Sequence, residues 1–475
     1  MKDSSSRSGK RSGHRPLFPG YTRDSGTERR LAIVLKNRVV ELNGVVHKFS
    51  NPAELSDIVY KNNLLSYIED FTDEWFFEYL ETFIRSPNAQ VMANRYGDVS
   101  SIKLRFSRQT RWIVLSSTWG EHANINFLSR LHGLFEYTNV GYYHTPASLG
   151  QAIMRQSWRE SKLEFHTSPS SAACDYIYQH QIGGRVDTPG LHKYYSEGLE
   201  YDEASAYLAK NVLNPTKTAI RFDRYPSDRY FTWFGHCKVK ILSELALGPF
   251  PVRKPDGIVV YPTLPGKYDC YVWEETYERI VEAGCEVEID GGYGWLECTM
   301  DMLPWCQKMY GLKTGALEDW LEDYIKNVIV AAIGRFGMKG EFNVVVHMDD
   351  ADPSDPPVIT RDGRLTEYCI HGEVNKSAIA MPHWFNYTIQ QVARDTYDFA
   401  LPFAERGELI ATNYDSVLVL DTEVKPNTVR KHSSISCDPG TWRWQLLTNI
   451  YVPAPRSIVA NQKTRLPGVR ATATY

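Results

Sequence analysis

The pattern of apolar and polar positions changes period several times along this chain. Short apolar runs at 31–35 and 38–42 predict strands, and Asn43-Gly44 marks a turn into a third at 45–49. From Pro52 to Ile84 the apolar residues keep helical spacing, which predicts two helices broken near Thr72-Asp73. Further strands are expected at 91–93, 102–106 and 112–115, and helices at 128–135 and 149–155. Strands follow at 231–242, 257–261, 268–273 and 287–290, then a helix at 274–284 closed by Gly284. The strongest helical pattern runs from 317 to 336 and carries Lys326, with Val330 and Ile333 at i+4 and i+7 on one face. A strand at 341–347 and a long helix at 384–403 lead to 409–420, two apolar runs joined by a tight polar tip holding Asp415. The stretch 198–210 starts as a strand, carries Asp202 at its end, and turns into a helix through Ser205 and Tyr207.

Composition limits what these elements build. The chain has 475 residues, enough for two or three domains with a sizeable core. Hydrophobic content of 43% and charged content of 23% are ordinary globular values. A formal net charge of −4 argues against a simple non-specific nucleic-acid binder, yet permits an enzyme with a carboxylate-rich centre and a local basic groove. The eight cysteines form no CxxC pair, which argues against zinc and suits free thiols in a reducing intracellular compartment. No apolar run approaches a membrane span, and no membrane partner is expected.

Candidate chemistry sits at a few places. Residues 1–30 combine Ser4-Ser5-Ser6 with eight basic residues and read as a disordered arm. Gly183-Gly184-Arg185 offers close backbone approach to a ligand or strand, with an arginine placed to contact phosphate; an ordinary turn is the alternative. Lys326 either snorkels from its helix or aims at a triphosphate. The acidic, proline-rich loop at 349–357 reads as solvated. The segment 441–475 interleaves basic and aromatic residues, among them Trp442, Arg443, Trp444, Arg456, Lys463 and Arg465, a composition suited to a nucleic-acid backbone. Magnesium chemistry on phosphates usually needs two carboxylates, and Asp202 with Asp415 supplies them if the fold brings them together.

The order of these signals resembles that of a family B DNA polymerase of the protein-primed viral and organellar-plasmid type, over about residues 175 to 470. Gly183-Gly184-Arg185 is similar to the YxGG motif, with Gln181 where tyrosine is expected. The run from Asp202 through Ser205 and Tyr207 resembles DxxSLYP. Lys326 to Gly334 is similar to KxxxNSxYG, with Val330 and Ile333 replacing asparagine and tyrosine. Asn413-Tyr414-Asp415-Ser416 resembles the DTDS hairpin, and Pro455-Arg456-Ser457-Ile458 the KxY motif.

The resemblance implies an α+β multidomain chain: a right-hand polymerase with an antiparallel palm sheet, finger helices and a thumb, behind a degenerate exonuclease-like α/β domain. The boundaries would be 31–171 for that remnant, 172–311 and 341–440 for the palm, 312–340 for the fingers and 441–475 for the thumb. Asp202 and Asp415 would bind two Mg2+ or Mn2+ ions and carry catalysis. Ser205, Tyr207, Lys326, Gly334 and Lys313 would bind the deoxynucleoside triphosphate, Tyr207 selecting against a 2′-hydroxyl. Gly183, Gly184, Arg185, Arg456, Lys463 and Arg465 would contact primer–template DNA, and a terminal protein could prime synthesis. The first strand lacks the DxE of a 3′–5′ exonuclease, so no proofreading is expected. The alternative is a polymerase-like protein that binds nucleic acid but polymerises poorly or not at all. A host cytoplasm or an organelle would be the compartment.

Overall fold

A computed structural model describes residues 30–35, 38–42, 44–69, 74–93, 99–119, 126–163, 171–338, 341–353, 355, 368–374, 380–420, 423–425, 427–431, 438–455, 457–461 and 463–465. The expected arm at 1–30 and Arg456 fall outside them, apart from Arg30. The chain divides into two compact units, one of residues 1–116 with 342–373, the other of 117–341 with 374–475.

The first unit is built on a nine-stranded sheet. Its order is Tyr368–Val374, Glu341–His347, Ala89–Ala93, Val99–Phe106, Gln109–Leu115, Leu64–Ile68, Arg30–Leu35, Val39–Leu42 and Val45–Lys48. Arg30–Leu35 pairs in parallel with Leu64–Ile68, which pairs in parallel with Gln109–Leu115. The remaining registers recorded in this sheet are antiparallel. Helix Pro52–Lys61 begins at Asn51, whose side chain accepts from the Glu54 amide at 3.0 Å, while Glu54 reaches back to the Ser50 amide at 2.6 Å. Leu55 and Val59 from this helix, and Phe76 and Leu80 from helix Glu74–Ile84, pack with Ala32, Val34, Leu64 and Ile102 into one core.

Two expectations change here. A strand, Leu64–Ile68, stands inside the run read as helical. All five of its residues are buried, and a continuous apolar run of that length carries no period to separate strand from helix. Strands Glu341–His347 and Tyr368–Val374, expected in the palm, join this sheet instead.

The second unit carries an eight-stranded sheet in the order Lys463–Arg465, Ser457–Ala460, Trp442–Ala454, Tyr194–Glu203, Ser416–Val419, Leu409–Asn413 and Val186–Asp187. Val429–Arg430 is its eighth strand, parallel to Trp442–Ala454. The long helix Pro382–Glu405 lays Tyr397, Phe399, Ala400 and Phe403 against Leu199, Tyr201, Val417 and Val419. Each fully buried side chain of that size is worth about 1.5–3 kcal/mol over exposure, so this face anchors the sheet. Trp442–Ala454, in the segment expected as a thumb, pairs antiparallel with Tyr194–Glu203 inside this sheet.

Residues 211–311 contain a separate four-stranded antiparallel sheet: Ala219–Phe222, Glu286–Trp295, Thr232–Ile241 and Gly266–Trp273. Helix Glu274–Glu282 covers it through Ile280. Helices Phe127–Thr138 and Pro146–Glu160, expected in the exonuclease-like remnant, lie in the second unit and pack on Asp319–Phe336. Gly150 makes this possible, since a Cβ there would meet the Ala332 Cβ at 2.5 Å. Among the described residues, no helix is long and apolar enough to cross a membrane.

Candidate active site

The site forms where three antiparallel strands meet. Asp202 lies one residue from the end of Tyr194–Glu203, with Ser416 opposite it on one neighbouring strand and Arg443 on the other. Directly opposed residues share a face of the sheet, so Arg443 and Asp202 are brought side by side. The Arg443 guanidinium donates to Asp202 Oδ2, and the Lys431 ammonium lies 2.9 Å from Oδ1. Burial pushes the Asp202 carboxyl up, but Lys431 and Arg443 outweigh it and hold it below its ordinary range.

Asp415 sits at the tip between Leu409–Asn413 and Ser416–Val419. The tip is tight: Tyr414 adopts φ +58°, and its amide donates to the Arg185 carbonyl at 2.8 Å. The Asp415 carbonyl accepts from the Glu203 amide at 2.9 Å, which ties the tip to the end of the Asp202 strand. Burial raises the Asp415 carboxyl and the charge of Asp202 adds to it, against its own backbone amide, Lys326 and Lys431. The two carboxylates thus feel each other's charge. Their neighbours drive them apart, one down and one up.

Of the remaining expected nucleotide residues, Ser205, Tyr207, Lys313 and Lys326 gather near the two carboxylates. Tyr207 is on the short helix Ala206–Lys210, and its hydroxyl is pushed up by burial, Asp415 and Tyr414. Ser205 precedes that helix at φ +50° and accepts a hydrogen bond from Lys313 at 3.1 Å. Burial lowers the Lys313 ammonium; Arg443 and Lys326 add to this, Glu322 and Asp202 oppose it. Lys326 is exposed on helix Asp319–Phe336, with Val330 and Gly334 also open, and a Cβ at Gly334 would meet nothing. Ile333 does not share that face; it is 3% exposed and packs inward. The residue standing in the tyrosine position is a core side chain.

Arg185 is not a nucleic-acid contact. It is fully buried, bonded to Asp187 at 2.5 Å and to the Gly248 carbonyl at 2.8 Å, with its guanidinium over the rings of Tyr261 and Tyr397. Gly184 does provide close approach, to the Tyr414 ring: a Cβ there would lie 2.3 Å from it. Gly183 is exposed with open space around it. Lys463 and Arg465 lie on the outermost strand of the sheet.

Sequence reasoning missed Lys431 and the role of Arg443. The alternation Trp442-Arg443-Trp444 is a strand signal, but the register that sets Arg443 beside Asp202 spans 241 positions. It also missed the network of Glu203, Lys210 and Asp395. Glu203 is 2% exposed and accepts from Lys210 at 2.9 Å; Lys210 also pairs with Asp395. Burial pushes Glu203 up to about 7, Asp395 and Asp415 add to it, and Lys210 opposes. A further acidic group, Asp352, Asp355 and His371, offers three ligand atoms within 4.8 Å in the first unit; its Asp355–His371 contact is 3.0 Å.

A palm-type sheet with paired carboxylates, a finger-type helix bearing a lysine, and an N-terminal α/β unit together make the fold of a right-hand polymerase with an exonuclease-type domain. Solved structures similar to this chain include those of phi29 DNA polymerase: an orthorhombic crystal form with a TM-score of 0.66, and a binary complex with primer–template DNA with 0.68. The ternary complex with primer–template DNA and incoming nucleotides gives 0.67. Each is 13% identical and covers 92% of this chain and 89% of that chain. No protein-family model and no curated protein matches the sequence.

Proposed function

We propose that this chain is a DNA-directed DNA polymerase that adds deoxynucleotides to a primer 3′-hydroxyl. The observation that carries the reading is the register setting Asp202 against the hairpin that holds Asp415, with Tyr207, Lys313 and Lys326 in electrostatic reach. The likeness to phi29 DNA polymerase across nearly the whole chain supports it.

The donor set fits divalent ions. Two carboxylates that repel each other, with cations already drawn to one, are a site that gains from added positive charge. Asp202 and Asp415 would hold Mg2+ or Mn2+, two ions in the full site. Bound there, the ions would supply charge neutralisation at the phosphates and lower the pKa of the primer hydroxyl. The chain does the rest by position. Lys326 and Lys313 attract the triphosphate, and Ser205 holds Lys313 in place. The Tyr207 ring takes the space a 2′-hydroxyl would need. Arg443 and Lys431, paired with Asp202 at the site, would offer positive charge to the phosphates of primer or nucleotide. The first strand, Arg30–Leu35, carries no carboxylate, which supports a polymerase without proofreading. A terminal protein is a candidate primer.

One observation favours a second reading, an impaired nucleic-acid-binding relative: both Asp202 oxygens are occupied by protein cations. Primer extension separates the two. With a primed DNA template, four deoxynucleotides and Mg2+ or Mn2+, the wild type extends, and Asp202→Ala and Asp415→Ala each lose at least about 10³-fold, the scale of removing a group that stabilises transition-state charge. Template binding without extension in either metal overturns the polymerase reading.

A further inference from the structure

The Tyr207 helix is five residues long, too short to hold its own shape in water, since one turn already carries an unfavourable nucleation cost. Something outside it must set the ring's position. Lys210, three residues after Tyr207 and on the same helix, reaches two carboxylates. One is Glu203, on the strand end beside Asp202; the other is Asp395, on the long helix Pro382–Glu405. Glu203 is 2% exposed, and a buried carboxylate next to Asp415 is costly unless a cation is held against it. The network therefore does more than neutralise charge. It ties the Asp202 strand, the tyrosine helix and the helix behind the sheet at one ammonium.

The residue after Lys210 adds two further ties. Asn211 is buried; its side-chain oxygen accepts from Thr388 of the long helix at 3.3 Å, and its carbonyl accepts from Asn214 at 2.8 Å. Thus the end of the short helix is fixed from two sides. Lys210 and Asn211 fix this helix end alongside the buried Ala206 and Leu208, and the Tyr207 ring is carried on the same short helix.

We propose that Glu203, Lys210 and Asp395 are positioning residues for sugar selection: their ion network holds the Tyr207 ring where it excludes a ribonucleotide. This rests on the polymerase reading above. None of the three touches substrate in this account; they act through Tyr207.

The test is steady-state primer extension with single deoxy- and ribonucleotides, on wild type, Lys210→Met, Lys210→Arg and the double variant Glu203→Gln/Lys210→Met. The double variant leaves no unpaired buried charge, because Asp395 keeps Arg394 at 2.7 Å, so it guards against simple unfolding. The ratio of kcat/KM for deoxy over ribo is the readout. Lys210→Met and the double variant are expected to lose roughly tenfold or more of that ratio, mostly through a raised deoxynucleotide KM and a better-used ribonucleotide. Lys210→Arg restores most of it, and affinity for primed template stays constant. An unchanged ratio with kcat lowered equally for both sugars overturns the proposal and leaves the network a scaffold. Absence of extension by the wild type overturns the polymerase reading itself, and this inference with it.

Discussion

Two arginine–aspartate pairs on the same eight-stranded sheet have opposite characters. Arg185 with Asp187 is at one edge: its side chain is 0% exposed, stacked on Tyr261 and Tyr397, and its partner is 13% exposed. Arg443 with Asp202 is at the centre: the arginine is 23% exposed and the aspartate 16%, and Lys431 competes for the same carboxylate. The first pair has every direction closed by packing. The second has more cation than it needs, and solvent on one side. A buried pair that cannot exchange partners is a structural element; a half-open pair with a surplus of cations is one that can exchange them. Both arginines came from segments expected to touch nucleic acid, and only packing distinguishes them.

Breaking each pair should show this. Arg185→Ala leaves Asp187 facing a cavity lined by aromatic rings, and is expected to cost about 3–5 kcal/mol of stability, read as a large fall in Tm. Arg443→Ala leaves Lys431 on Asp202 and should cost only about 1 kcal/mol, the scale of partly exposed pairs, while primer extension falls far more than stability does. Equal stability losses in the two variants would erase the distinction.

A smaller effect sharpens it through pH. The Glu203 carboxyl is raised from its ordinary 4.5 to about 7 by burial. Its folded pKa lies above its unfolded one, so its contribution is fully present below pH 4.5 and is lost as pH rises through about 7. Glu203→Gln removes the titrating group. Denaturant unfolding of the wild type should therefore lose stability relative to this variant between those two pH values, and a constant difference would show that Glu203 does not titrate there.

What was legible in the sequence was local. Asp202 at a strand end, Asp415 on a hairpin tip and the lysine-bearing helix each show within a dozen residues, because turn chemistry and periodicity act at that range. Gly184 was legible as a close-approach position, although its neighbour proved to be the Tyr414 ring. Long-range pairing was not. The partner of Asn343 is Ala93, and that of Arg443 is Asp202, registers that no local window contains. Burial direction also escaped: Ile333 and Val330 are three residues apart on one helix, yet one is 3% and the other 51% exposed, according to whether the neighbouring helices cover them.

The central claim is that Asp202 and Asp415 form one divalent-ion site. Manganese binding, followed by electron paramagnetic resonance, tests it most directly. The full chain would be assembled with a primed template ending in a dideoxy primer, plus the matching deoxynucleotide. The account predicts two bound ions for the wild type, and loss of at least one in Asp202→Ala and in Asp415→Ala. The same manganese count in the wild type and both variants would contradict it.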